Sequence, residues 1–170
     1  MSRLTLLALV LLLAVPALAG AGPRAPGDGT LEVQDGRGLV IVQARGGILG
    51  RFDSGRMVIE DPVGGDGSGP IVYGAERIRE LGAFRTLYIG EDVRFRLIGG
   101  GYKIRINAVG MWLSAAGRGS ATLDDGEPSF SDPGRYSVNG GPFQPMPAVP
   151  AKVQFGTGPP ERPLFGGPGR

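Results

Sequence analysis

The chain has 170 residues, a formal net charge of +2, 41% hydrophobic and 20% charged residues, and neither Cys nor His. Those two absences exclude disulfides, thiol catalysis, Cys/His zinc sites and His-based triads. The small net charge creates no strong basic field, so a nucleic acid partner is not expected. The 32 Gly and 15 Pro favour many turns and short strands over long helices.

Residues 1–19 have the pattern of a signal peptide. A positive charge precedes an apolar run over residues 4–15, Pro16 breaks that run, and a small-x-small cleavage site follows. The alternative is an uncleaved membrane anchor, since residues 4–22 are barely long enough to span a bilayer. In both cases the sequence predicts an exported protein (secreted, periplasmic or in the cell envelope), with residues 20–27 as a linker.

Residues 28–61 and 92–125 read as one unit copied twice, at a constant offset of about 64 residues. Apolar and polar residues alternate in both, as in half-buried strands, and glycines recur at equivalent places. Each unit therefore predicts two successive β-hairpins. The predicted two-residue turns are Asp35-Gly36, Ser54-Gly55, Gly99-Gly100 and Arg118-Gly119. The alternative is a chance match within a glycine-rich chain.

The rest of the chain sets the predicted domain limits. Residues 71–73 read as a strand, and residues 75–81 have helix-forming composition but are short enough to be one helical turn or an irregular edge strand. About half of residues 140–170 are Gly or Pro, so this tail is predicted to be disordered. The folded part is then residues 28–139, an all-β domain expected to be a small antiparallel sandwich or barrel.

Four cations are predicted to share one face of a hairpin: Arg94, Arg96, Lys103 and Arg105. The predicted turn places Arg96 opposite Lys103, and it places Arg94 opposite Arg105. Like charges that face each other are unfavourable unless a partner neutralises them. This face is therefore the candidate site for an anionic envelope polymer or for lipid headgroups. The alternative is a solvated face, or pairing within the protein, for example with Glu32.

The aromatic residues of the second unit are assigned to the core. Trp112, the only tryptophan of the chain, aligns with Ile48 of the first unit, and core packing is predicted for it and for Met111. Phe95 and Tyr102 are predicted to point away from the four cations. The aromatic interleaving of a nucleic-acid platform is therefore not expected on that face.

Acidic pairs end both units, at Glu60-Asp61 and Asp124-Asp125. Such pairs could bind Ca²⁺ or act as acid and base in glycoside hydrolysis. However, adjacent strand residues point to opposite faces, and acidic residues at strand ends also begin turns. No catalytic residue, metal ligand or cofactor is therefore assigned. The favoured interpretation is a non-enzymatic, envelope-associated binding or structural module, and the alternative is a carboxylate-dependent enzyme such as a glycoside hydrolase.

Overall fold

The computed structural model describes residues 25–64, 67–126 and 132–157, and their regular structure is entirely β. The strands are β1 (Gly29–Glu60), β2 (Gly67–Gly82), β3 (Arg85–Asp124), β4 (Arg135–Val138), β5 (Gln144–Pro145) and β6 (Ala151–Phe155). They form one sheet in the order β2-β3-β1-β4-β5, and β6 pairs with β3. All ladders are antiparallel, so the predicted all-β class is confirmed. Within these ranges, no helix has the length and apolar character needed to cross a membrane.

β1 and β3 pair with each other along both of their edges. Val42 lies between Ile104 and Ala121, and Ile104 lies between Val42 and Ile59. Val42 and Ile59 are therefore two strand spacings apart, roughly 10 Å. The stretch of β1 between them, about 17 residues, would span roughly 56 Å if it were straight. The long strands must therefore curve strongly around the core.

The predicted hairpins do not form, because all four predicted turns lie inside β1 or β3. At Gly99-Gly100 both glycines have positive φ, 67° and 72°, yet β3 continues through them. Leu97 pairs with Ile48, and Tyr102 pairs with Ala44. The glycines act as a bulge, because the buried side chains are odd-numbered up to Leu97 and even-numbered from Tyr102. A glycine bulge uses positive φ, as a tight hairpin turn does, so Gly-Gly fits both.

A single core receives the inward side chains of both long strands. Its largest fully buried members include Tyr102, Phe52, Phe155, Leu31, Ile48, Met57, Leu97 and Ile104. Burying an aliphatic or Phe side chain of this size contributes about 1.5–3 kcal/mol. The strands approach closely where glycine leaves space: the Phe95 ring packs against Gly50, its ladder partner, where a Cβ would overlap the ring.

The prediction of a disordered tail is wrong for residues 140–157. β5 pairs with β4, and β6 pairs with the last part of β3. In this second ladder Phe155 lies opposite Gly119, and Ala151 lies opposite Leu123. Phe155 is 1% exposed, so this segment completes the core. Composition underestimates the segment because the surface that buries its few apolar side chains belongs to β1 and β3. The predicted signal peptide and residues 158–170 lie outside the described residues.

Candidate functional site

The four predicted cations lie on the outer face of β3. Arg94, Arg96 and Arg105 are exposed, and Lys103 is half-buried. The residue between the first two, Phe95, is 4% exposed and points into the core. The alternation of inward and outward side chains that the sequence predicts is therefore present, while the binding role stays a prediction.

The predicted cross-strand partners of these cations are wrong. Arg94 lies opposite Arg51 of β1 instead of Arg105. Lys103 lies opposite Glu60, and its Nζ is 3.9 Å from the Glu60 Oε2. The missing hairpin explains both differences, because β3 does not fold back on itself and its outward side chains adjoin those of β1 and β2.

The structure divides the cations into two separate surfaces. Arg94 pairs with Arg51, whereas Arg105 pairs with Val58, seven residues further along β1. At ~3.3 Å per residue this separation is roughly 23 Å of strand. The Arg94 surface and the Arg105 surface are therefore distinct, each with one further cation two residues away along β3.

Arg51 is a cation that the sequence pattern did not assign to the site. It is exposed and lies directly opposite Arg94, with Arg96 two residues further along β3. Within residues 25–64, 67–126 and 132–157, no salt bridge joins any of these three arginines to a carboxylate. Nothing in the sequence pointed to Arg51, because a ladder between distant segments brings it to Arg94.

Two aromatic side chains flank these arginines. Tyr73 of β2 lies opposite Arg94, and Trp112 of β3 lies opposite Arg51 on its other edge. Tyr73, Arg94, Arg51 and Trp112 thus form one row across four neighbouring strand segments, which we call the aromatic–arginine row. Tyr73 is 68% exposed and Trp112 is half-buried. The predicted core packing of Trp112 is wrong, whereas Met111 is 0% exposed and lies in the core.

The acidic pairs that a carboxylate-dependent enzyme would use lie apart. Glu60 and Ser120 share one row of the sheet, three strand spacings or roughly 14 Å apart along its curved surface, and Asp124 is four residues beyond Ser120, so no ladder brings the pairs together. Glycoside hydrolysis needs the two carboxyl groups within about 10 Å of each other. In the described part of the chain, no group of three or more acidic side chains could hold a metal ion.

A groove of about 690 Å³ lies between the end of β1 and the β2–β3 hairpin, lined in part by Asp61, Glu80, Arg85 and Tyr88. Burial raises the pKa of Tyr88 above its ordinary value of 10.0, and a hydrogen bond with Thr86 partly offsets that effect. These groups could hold a small polar molecule. The groove mixes carboxylates with one arginine, so it lacks the group of three neighbouring arginines that the Arg94 surface has.

Comparison of the chain with protein-family models, with curated proteins and with solved structures finds no match. Any function must therefore be inferred from the residues and their placement.

Proposed function

We propose that this protein is an exported, non-enzymatic β domain that serves the cell envelope as a binding or structural module. Its partner is an anionic polymer or lipid surface that contacts the outward cations of β3. The observation that carries this proposal is the pairing of Arg51 with Arg94, two exposed like charges in directly opposite positions. An anionic partner relieves their repulsion, by an amount that falls as salt increases.

Export rests on the pattern of residues 1–19, a charged start, an apolar run and a small-x-small site. An exported protein encounters acidic polymers and anionic headgroups at the cell envelope, and both attract a basic protein surface. The lack of cysteine is compatible with this location, because disulfides are common in secreted domains but not required.

The two cation surfaces contribute unequally in this proposal. Arg94 and Arg96 are exposed, and no salt bridge to a described carboxylate neutralises them. The Lys103 Nζ is 3.9 Å from the Glu60 Oε2, so a carboxylate partly neutralises the charge at this position. Arg105 is exposed between the apolar residues Ile41 and Val58, so it has no second arginine opposite it. Arg94 and Arg96 therefore form the principal site, and Lys103 and Arg105 a secondary one.

We further propose that residues 28–61 and 92–125 are two copies of one unit, and that the sheet they form is curved like a barrel. All six strands belong to one sheet whose long strands pair along both edges, which supports a barrel-like form over a sandwich of two sheets. The ladders also support the repeat. Leu39 pairs with Asp124. In the other copy of the unit, Lys103 is equivalent to Leu39 and Glu60 is equivalent to Asp124, and these two residues also pair.

Burial agrees with the same correspondence. Seven pairs of equivalent positions are buried in both copies: Leu31 and Phe95, Val33 and Leu97, Val40 and Ile104, Val42 and Ile106, Ala44 and Ala108, Met57 and Ala121, Ile59 and Leu123. A unit copied twice would place equivalent side chains in the core in this way.

The proposed function is tested by co-sedimentation of the full chain with phosphatidylglycerol vesicles and with insoluble acidic polysaccharide, each at increasing salt. We expect binding to at least one of the two, weakening as salt rises. A variant should lose this binding while remaining folded if Gln replaces four residues: Arg94, Arg96, Lys103 and Arg105. Wild-type protein that shows no salt-sensitive binding to either material would contradict the proposal.

A further inference from the structure

We infer that the aromatic–arginine row, with Arg96 beside it, is a binding platform for an acidic polysaccharide. This inference rests on the proposed function and narrows its partner from anionic polymers and lipids to a polymer of sugar rings that carry carboxylate or phosphate groups. It also moves the site, because the platform includes three residues on β1, β2 and β3 that the predicted cation face lacked: Arg51, Tyr73 and Trp112.

The row is a continuous line of cross-strand neighbours. Tyr73 pairs with Arg94, Arg94 with Arg51, and Arg51 with Trp112, so the four side chains point to one face of the sheet. Neighbouring strands are about 4.8 Å apart, so the row is roughly 14 Å long. The two rings lie at its ends with two guanidinium groups between them. A chain of several sugar rings lying along the row would meet both rings and both arginines.

The platform is strongly cationic. Arg51, Arg94 and Arg96 gather three guanidinium groups on one face, and no salt bridge to a described carboxylate neutralises any of them. Guanidinium groups bind carboxylates and phosphates through two parallel hydrogen bonds, and they desolvate more easily than an ammonium group. A polymer with repeated acidic groups would supply one partner for each arginine and relieve the repulsion between Arg51 and Arg94.

Both aromatic side chains of the platform are partly open to solvent. Tyr73 is 68% exposed, and the half-buried Trp112 lies among the strands with part of its surface open. Aromatic rings present an apolar face together with a polar edge, which suits the mixed surface of a sugar ring. An amphipathic helix on a membrane surface inserts its apolar face into the acyl boundary, whereas this platform lies on sheet strands and its Trp112 is half-buried.

The inner face holds this platform in place. Beneath Arg51 and Arg94, Phe52 and Val93 are 0% exposed and pair with each other, and the Phe95 ring packs against Gly50. The pairing that joins the two arginines is therefore fixed by core packing. A prearranged site loses less conformational entropy when it binds an extended polymer.

Two carboxylates limit the platform at one end. Asp92 comes two residues before Arg94 on β3, and Asp53 comes two residues after Arg51 on β1, with its carboxylate lying over Gly110. Arg96 lies on the opposite side of the row, beside Leu49 and Ile71. The positive potential is therefore strongest towards Arg96, and the acidic groups of the ligand should lie on that side.

The test uses the fluorescence of Trp112, the only tryptophan in the chain. The full chain is titrated with polygalacturonate, with neutral dextran, with phosphatidylglycerol vesicles and with an oligothymidylate. The inference predicts a saturable change in emission with polygalacturonate and none with dextran. A change with vesicles or oligothymidylate alone would overturn it and would identify a lipid or nucleic acid partner instead.

Variants separate this inference from the broader proposal. Arg51→Gln combined with Arg94→Gln should weaken polygalacturonate binding at least about tenfold, because each loses a charge-assisted bidentate pair. Tyr73→Ala should weaken it several-fold, and Trp112→Phe, followed by calorimetry, should largely keep it. The matched control, Lys103→Gln with Arg105→Gln, removes only the secondary site and should weaken binding by less than about twofold. If only that control lost binding, the platform would be excluded while the proposed function remained. If the wild type bound none of the anionic probes, both would fail.

Discussion

Gly46 of β1 and Gly117 of β3 lie directly opposite each other, and each makes room for the backbone of the other strand. Their φ angles are 140° and 138°. A Cβ at Gly46 would overlap the carbonyl oxygen of Ala116, and a Cβ at Gly117 would overlap that of Arg45. At this point the two long strands approach so closely that neither tolerates a side chain.

Gly117→Ala should therefore destabilise the domain strongly. Backbone strain at positive φ costs about 1–3 kcal/mol, and the overlap with Arg45 adds to it. The matched control is Gly69→Ala, because a Cβ at Gly69 would meet no atom within 4 Å and should change stability by less than about 0.5 kcal/mol. Urea denaturation followed by circular dichroism measures both. Equal stabilities for the two variants would contradict the close approach of β1 and β3.

The end of the chain gives a second stability prediction. Phe155→Ala should cost about 3–5 kcal/mol, because Phe155 is 1% exposed and fills the core from β6. Val149→Ala, six residues earlier and 73% exposed, should have almost no effect. Limited proteolysis should accordingly spare residues up to 157. If a protease rapidly removed the residues after 140 while the rest stayed folded, the tail would be disordered, as its composition predicts.

The strand pairing is testable with engineered cysteines, since the chain has none of its own. Gln43 of β1 and Ser120 of β3 are ladder partners, so Gln43→Cys with Ser120→Cys should form a disulfide on mild oxidation. Arg96→Cys with Lys103→Cys should stay reduced, although the predicted hairpin places these two residues opposite each other. The reverse pattern would show that β3 folds back on itself. Non-reducing electrophoresis of peptides distinguishes the two cases.

These ladders also show what the sequence could and could not predict. Alternation is local, so Phe95 was correctly placed inside and Arg94 outside. The choice of partner strand is not local: Leu97 pairs with Ile48, whereas the alternation of the sequence fits a pairing with Tyr102 as well, because either partner would leave Leu97 on an apolar face. Gly99 and Gly100 permit either a turn or a bulge, because their positive φ suits both. The placement of Arg51 beside Arg94 depends wholly on that choice, so the site could be predicted only in part.

Tyr88 gives a prediction for alkaline pH. Burial raises its pKa above 10.0, so the folded state favours the neutral hydroxyl more than the unfolded state does. This contribution to stability is fully present below pH 10 and is lost as the pH rises through the folded-state pKa. Tyr88→Phe should therefore lose less stability than the wild type between neutral and alkaline pH. An ultraviolet titration counts the phenol groups with a raised pKa. If the Tyr88→Phe variant shows as many of them as the wild type, the raised pKa does not belong to Tyr88.

Residue-resolved NMR tests most directly whether the outer face carrying Arg51 and Arg94 binds an acidic polymer. The full chain, labelled with ¹⁵N, is titrated with polygalacturonate oligomers at low and at high salt. The account predicts shifts concentrated at residues 49–51, 71–73, 94–96 and in the indole N–H of Trp112, reversed by high salt. Shifts confined instead to the surroundings of Lys103 and Arg105, or to the groove beside Asp61 and Tyr88, would contradict it.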